Sequence, residues 1–250
     1  MKGVILAGGL GKRLLPCTRV TNKHLLPVYN RPMICYPLET LVSAGIRDIL
    51  IVTGGNNPGD FLKLLRDGKE FGLKEIHYTY QEGAGGIAAA LSLAEDFADG
   101  GKIVVILGDN IFEENIKKYI GDFERQKKGA KLFFKKVANS GRFGVGIFED
   151  DKLIKIEEKS RKPKSNLVCT GLYMYDSQCF DLIRTLKPSE RREVEITDVN
   201  NLYINKKEAT YEILSGFWGD AGTFESLFEV SKFLKGKGSK TKKCYQPNIE

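Results

Sequence analysis

The sequence predicts an α/β protein built on a largely parallel sheet covered by helices on both faces. Three observations carry that prediction. Apolar runs of strand length at residues 3–7, 49–53, 76–80 and 103–107 alternate with segments whose apolar residues recur at helical spacing. The quoted cores of two of them, Val4-Ile5-Leu6-Ala7 and Ile103-Val104-Val105-Ile106-Leu107, contain no polar residue, as strands buried on both faces require. Both run straight into glycine at their carboxyl ends, where open parallel sheets gather their ligands.

The elements follow in order. Ile34, Leu38, Leu41 and Val42 mark a first helix, Phe61, Leu62, Leu64 and Leu65 a second, and the Ala-rich segment 87–97 a third. Beyond residue 130 the pattern becomes mixed. Residues 130–137, 143–148, 153–156 and 167–175 read as strands joined by short turns, with Asp150-Asp151 at a hairpin turn. Ser177 stands where it can cap a helix whose apolar side is Cys179, Phe180, Leu182, Ile183 and Leu186. Phe224, Leu227, Phe228 and Leu234 mark a last helix. No internal repeat or linker interrupts residues 1–235, which we expect to form one domain; residues 236–250 are polar, rich in Gly and Lys, and read as a loosely ordered tail.

Length and composition narrow the function classes. At 250 residues the chain can bury a sizeable core. No apolar run reaches membrane-spanning length, and the first one is too short for a signal peptide, so a cytoplasmic location with no membrane partner is expected. The five cysteines, Cys17, Cys35, Cys169, Cys179 and Cys244, are odd in number and form no C-x-x-C pair, which argues against a disulfide scaffold or structural zinc. Only His24 and His77 are present, so a histidine metal cluster is excluded. The net charge of +7 is concentrated in lysines near the C-terminus. A solvated tail explains that run, and no nucleic-acid partner is expected.

The loop after the first strand holds Gly8, Gly9 and Gly11, followed by Lys12 and Arg13. Glycines permit close backbone approach, successive N–H groups form an anion nest, and two adjacent cations suit a polyphosphate. A ligand-free turn is the alternative. The spacing is not that of a P-loop, because Leu6 stands at the first glycine position and Arg13 replaces Ser/Thr. It is not a dinucleotide fingerprint either: Leu14 occupies the third glycine position and Pro16 follows. Lys23 comes close behind the loop. Asp109 ends the fourth strand, suited either to a divalent cation carrying phosphates or to capping a following helix. Asp220 lies between Gly219 and Gly222 beside the chain's sole Trp, in a ligand-approaching loop or a turn that Thr223 caps. The two aspartates can share one Mg²⁺. Gln81 offers a donor and an acceptor that suit a pyrimidine edge, with Gly86 near it; a flexible connection is the alternative. Glu158 and Lys159 fit sugar hydroxyls and a sugar phosphate, or a solvated face. No nucleophile–base arrangement stands out, so any chemistry must work by positioning and charge.

Taken together, these segments resemble the sugar nucleotidyltransferases, most closely the branch that thymidylylates glucose 1-phosphate. The carriers are the runs Leu6–Thr18, Asn22–Val28, Asn30–Ile34, Leu107–Phe112, Glu157–Lys159, Thr170–Tyr173, Glu193–Asn200 and Asp220–Thr223. The resemblance implies a Rossmann-like three-layer α/β/α nucleotide-diphospho-sugar transferase fold with a mixed, mostly parallel central sheet. Its nucleotide-binding part would span about 1–130 and its sugar-binding part about 131–235. The implied substrates are dTTP, or UTP, and glucose 1-phosphate, with Mg²⁺ as cofactor. Gly8, Gly9, Gly11 and Lys12 would line the triphosphate, and Arg13, Lys23 and Lys159 would act catalytically by neutralising phosphates. Gln81 and Gly86 would read the base. Asp109 would contact nucleotide and, with Asp220, hold the metal. Gly144, Glu158, Lys159, Thr170 and Tyr173 would surround the sugar phosphate. Three departures stand out: Lys12 where the family usually has Thr, Ser160 where it usually has Pro, and an end at Glu250 where relatives often add helices serving homo-oligomer assembly or regulation.

Overall fold

The computed structural model describes residues 1–237. The element order is β1 (Lys2–Ala7), β2 (Pro27–Val28), β3 (Arg31–Pro32), α1 (Cys35–Ser43), β4 (Asp48–Gly54), α2 (Gly59–Leu65), β5 (Glu75–Gln81), α3 (Ile87–Ser92) and α4 (Glu95–Ala98). Then come β6 (Ile103–Leu107), β7 (Asn110–Phe112), α5 (Lys117–Arg125), β8 (Ala130–Lys136), β9 (Gly144–Glu149), β10 (Lys152–Glu158) and β11 (Leu167–Tyr175). The chain closes with α6 (Gln178–Thr185), α7 (Ile196–Asn205), β12 (Ala209–Ile213), β13 (Trp218–Asp220) and α8 (Phe224–Gly236).

The central sheet runs β10-β9-β11-β6-β1-β4-β5, with β8 pairing β11 and β12. Its first-half block, β6-β1-β4-β5, is parallel, with Ile5 level with Ile51 on one side and Ile106 on the other. β11 joins antiparallel to β6 and β8 and carries the second half. The apolar runs are two-sided because successive side chains serve opposite cores. Val4, Leu6, Leu50, Val52 and Val105 pack on one face against α3, α6 and α7, while Ile5, Ala7, Ile49, Ile51, Val104 and Ile106 pack on the other with Leu38, Leu41 and Phe123. Asp150 and Asp151 both adopt positive φ (47° and 58°) between β9 and β10, the conformation a two-residue hairpin turn needs.

The structure corrects two expectations. Ser177 occupies the first position before α6, but its hydroxyl makes no capping bond; the carboxylate of Asp176 accepts from the Gln178 N–H instead (3.1 Å). No helix begins at Asp109, so it caps none: β7 follows and pairs antiparallel with β13, Asn110 opposite Asp220. Thr223 does cap α8, in a reciprocal box with Ser226. Further along α8, Phe233 stacks on Phe217 (centroids 3.8 Å apart), and Lys237 pairs with Glu113 beyond β7. Of the expected tail, residues 238–250 lie outside the described residues. No described helix is long and apolar enough to cross a membrane.

Candidate active site

The carboxyl ends of β1, β5 and β6 open onto a cleft of about 700 Å³. One wall begins with the glycine loop. Gly11 has φ 64° and starts a short 3-10 turn, Lys12–Leu14, that carries Lys12 and Arg13; a β-carbon there would lie 2.7 Å from the Thr18 methyl. Thr18 in turn donates to the Gly11 carbonyl (3.0 Å). Asn22 donates to the Gly54 carbonyl (2.8 Å) and accepts from the His24 N–H (3.0 Å), which fixes the turn that presents Lys23. Gly8 has the Gln81 amide oxygen 2.5 Å from where a β-carbon would stand, and Gly9 faces the Lys23 chain. Glycine is needed here because the loop packs against the side chains that serve the cleft.

Asp109 and Asp220 come together through the β7–β13 ribbon, whose last rung is Ala221 N–H to Asp109 C=O (2.9 Å). Asn110 is the ribbon's hub. Its oxygen accepts from the Trp218 indole (2.7 Å) and the Gly171 N–H (3.0 Å), and its NH₂ donates to Asp109 Oδ1 (2.9 Å). Lys23 Nζ lies 2.5 Å from Asp109 Oδ2. Burial alone would raise the Asp109 carboxyl, but the Lys23 charge and the surrounding contacts, hydrogen bonds from Lys23 and Asn110 among them, together outweigh it and hold Asp109 well below the usual carboxylate range. Asp220 moves the other way: burial and the neighbouring Asp109 charge raise it. Its Oδ1 is buried without a hydrogen-bond partner, and Arg142 approaches its Oδ2 at 3.8 Å. His24, buried behind Lys23, is pushed down to about 3, chiefly by burial and then by the Lys23 charge; it is a neutral wall, not a base.

Two adjacent carboxylates, one with a buried orphan oxygen, suit a hard divalent cation. Among the described residues no cluster of three or more such ligands exists. A cation here would therefore take two protein oxygens and fill its shell with water and phosphate, as Mg²⁺ does.

The base side of the cleft is held by Gln81, whose Nε2 donates to the Gly86 carbonyl (3.1 Å). Gly86 has φ 96° and no room for a β-carbon, which would meet the Val194 carbonyl oxygen at 2.6 Å. Val194 itself bonds Gly85 and Ala88 through its backbone. On the opposite wall, Gly144 faces Glu158 and Thr197. Glu158 accepts from the Thr197 hydroxyl (2.6 Å) and lies near Lys159 (3.4 Å) and Arg191 (3.5 Å). Lys159 N–H donates to the Phe143 carbonyl (3.0 Å). Thr170 and Tyr173 line the floor. The Thr170 proton is committed to the Phe133 carbonyl, leaving only acceptor lone pairs for a ligand. Burial pushes the Tyr173 phenol far up, so it is a neutral donor.

The sequence profile described as "Nucleotidyl transferase" matches residues 2–237. The chain belongs to the nucleotidyl transferase family. The glucose-1-phosphate thymidylyltransferase of Neisseria meningitidis serogroup A is 44% identical over 239 residues, covering 94% of this chain and 83% of that protein. Its namesake in Mycolicibacterium smegmatis is 42% identical, with 94% and 82% covered. A crystal structure of a Bacillus anthracis protein assigned as a glucose-1-phosphate thymidylyltransferase, in complex with a sucrose, superposes with TM-score 0.89 at 49% identity, over 93% of this chain and 94% of that one. A UDP-glucose pyrophosphorylase at 24% identity shares the fold, with TM-score 0.83.

All the residues singled out from the sequence line this one cleft of the nucleotidyl transferase. Sequence reasoning missed Asn110, Arg142 and Arg191, which line it too. Arg191 grips Glu195 with two nitrogens (2.8 and 3.1 Å) and so ties the Glu193–Glu195 segment to Glu158. By type Asn110 reads from the sequence only as a helix cap, and Arg191 stands two residues ahead of the motif that begins at Glu193. Arg142 stood next to Phe143 with no sequence signal beyond its charge.

Proposed function

We propose that this nucleotidyl transferase moves the thymidylyl group of dTTP onto glucose 1-phosphate, giving dTDP-glucose and pyrophosphate. The observation that supports it best is the cleft's polarity. The glycine loop with Arg13, Lys23 and the Asp109/Asp220 pair forms one wall, and Glu158 with Lys159 forms the facing one. The relatives' names supply the base and the sugar.

A sugar phosphate is already an anionic nucleophile at neutral pH. Its oxygen attacks the α-phosphorus in line, the new P–O bond forms, and the bond to the β-phosphate oxygen breaks, with pyrophosphate carrying off the electron pair. No proton need be removed, which agrees with a cleft whose only histidine is neutral. The protein's task is to hold two mutually repelling anions at bonding distance and to stabilise charge on the transferring phosphoryl oxygens. In this reading Gly8, Gly9, Gly11 and Lys12 cradle the triphosphate while Arg13 and Lys23 neutralise it. Gln81 and Gly86 face the pyrimidine. Lys159 holds the sugar phosphate, and Gly144, Glu158, Thr170 and Tyr173 shape the sugar pocket. Mg²⁺ bound by Asp109 and Asp220 would supply positive charge to the phosphates.

Pyrophosphate release from dTTP, UTP and the purine triphosphates, each with several sugar 1-phosphates, tests the proposal. The expected result is the fastest release with dTTP, glucose 1-phosphate and Mg²⁺ together, and none after chelation. Faster release with UTP would move the assignment to a uridylyltransferase. No sugar-dependent release with any triphosphate would leave a nucleotide-sugar sensor.

A further inference from the structure

Arg142 is a cation of the cleft that spans its two walls. Its backbone belongs to the sugar side: the Phe143 carbonyl beside it accepts from the Lys159 N–H (3.0 Å), and the Phe143 N–H donates to Ser140 (3.1 Å). Its guanidinium lies over the Phe143 ring (4.8 Å) and reaches across to Asp220 on the metal side (3.8 Å). The contact is an approach, not a hydrogen bond, and the Arg142 side chain is 41% exposed against 13% for Asp220. Lys23 makes the matching arrangement with Asp109, at hydrogen-bond distance. Asp109 has Lys23 in contact, while Asp220 is acted on by three basic side chains, Lys23, Arg142 and Arg13. Only the Arg142 contact is loose enough to release without breaking a buried hydrogen bond, and Asp220 Oδ1 next to it stays unpartnered.

We propose that Arg142 is an exchangeable counter-ion. It neutralises Asp220 while no divalent cation is bound, and when a cation takes Asp220 it turns to the sugar 1-phosphate beside Lys159. A cation at the free Oδ1 of Asp220 takes over the carboxylate charge and repels the guanidinium that lies 3.8 Å from Oδ2, so metal arrival frees Arg142 in the reaction region. Guanidinium then offers a planar, two-pronged fit to phosphate oxygens. Arg142 thereby joins Lys159 as a second phosphate-binding cation on the sugar side, engaged only after the metal has loaded. The role rests on the transfer reaction proposed above.

The experiment compares wild type with Arg142→Gln and Arg142→Lys. Two quantities are measured on each full chain: Mn²⁺ affinity without substrates, from the free-ion EPR signal, and KM for glucose 1-phosphate at saturating dTTP and metal. A partly exposed ion pair is worth at most about 1 kcal/mol, so Arg142→Gln should bind Mn²⁺ more tightly, by up to about fivefold. Loss of a charge-assisted contact to phosphate should raise KM for the sugar phosphate about 10- to 100-fold. Arg142→Lys should restore part of that KM. Mn²⁺ binding unchanged in Arg142→Gln would show no exchange at Asp220, and binding weakened would make the arginine a support of the metal site; either would overturn the proposal. An unchanged KM would overturn it as well. If wild type makes no nucleotide sugar from any substrate pair, the transfer reading fails separately, and the Mn²⁺ comparison still reads the exchange at Asp220.

Discussion

Replacing Asn110 by Ala should damage this protein far more than a one-residue polar-to-apolar change suggests. Asn110 is 3% exposed, and its oxygen accepts two buried donors, the Trp218 indole N–H and the Gly171 N–H. Alanine leaves both unpaired. Each buried orphan costs about 1–3 kcal/mol, so the loss should be about 2–6 kcal/mol. In a chain of this size that lowers the thermal midpoint by about 4 to 24 °C. The assay is urea unfolding followed by far-UV circular dichroism, run as a double-mutant cycle with Trp218→Phe. Phenylalanine removes the indole donor, so Asn110→Ala in that background should cost about 1–3 kcal/mol less than in wild type. Activity should fall too, because Asp109 loses the Asn110 NH₂ that holds its Oδ1. A cost below about 1 kcal/mol for the single variant, or no coupling in the cycle, would refute the account of Asn110 as the ribbon's hub.

Three further outcomes follow from the same contacts. Gly86→Ala should cost about 1–3 kcal/mol from its backbone conformation alone, and more from the Val194 backbone 2.6 Å away, whereas Gly8→Ala meets only the movable end of Gln81 and should mainly raise the triphosphate KM; paired unfolding and kinetics separate the two. His24 ionises near its ordinary 6.5 when unfolded but at about 3 when folded, so the unfolded chain binds more protons in between and stability falls as pH drops through that window. Going from pH 7 to pH 5 should cost roughly 2 kcal/mol, and His24→Gln should flatten that part of the urea-midpoint profile. Asp220→Asn removes a carboxylate that burial and Asp109 make costly to ionise: without metal it should unfold no earlier than wild type, while turnover drops about 100-fold or more.

What the sequence disclosed, and what it hid, divides along physical lines. β1 and β6 were legible because burial on both faces demands an unbroken apolar run. The Asp150-Asp151 turn was legible because it must adopt positive φ. β7 and β13, three residues each, are too short to show a period, and their pairing joins positions 106 to 110 residues apart. β12, Ala209–Ile213, does alternate apolar and polar residues, with Ala209 and Tyr211 packed inward, but five positions of a partly exposed edge strand are too few to stand out in the sequence. α7 lay within and beyond the Glu193–Asn200 motif, but Thr197, Asn200 and Asn201 blur its helical spacing. Of the site, the glycine loop and the aspartates carried their chemistry in residue type and position. Arg142 did not, because its meaning comes from a carboxylate 78 positions away that only the fold brings near.

The Phe217–Phe233 stack and the Lys237–Glu113 pair have a bearing on how the molecule is made. A chain leaving the ribosome displays its glycine loop early, yet the second carboxylate arrives only at residue 220. The aromatic clasp that secures its ribbon needs the last turns of α8. Domains generally complete as units once their distant contacts can close. A chain that stops short of α8 therefore lacks the clasp for the ribbon that pairs its aspartates, so the last turns of the described fold are what complete the metal side of the cleft.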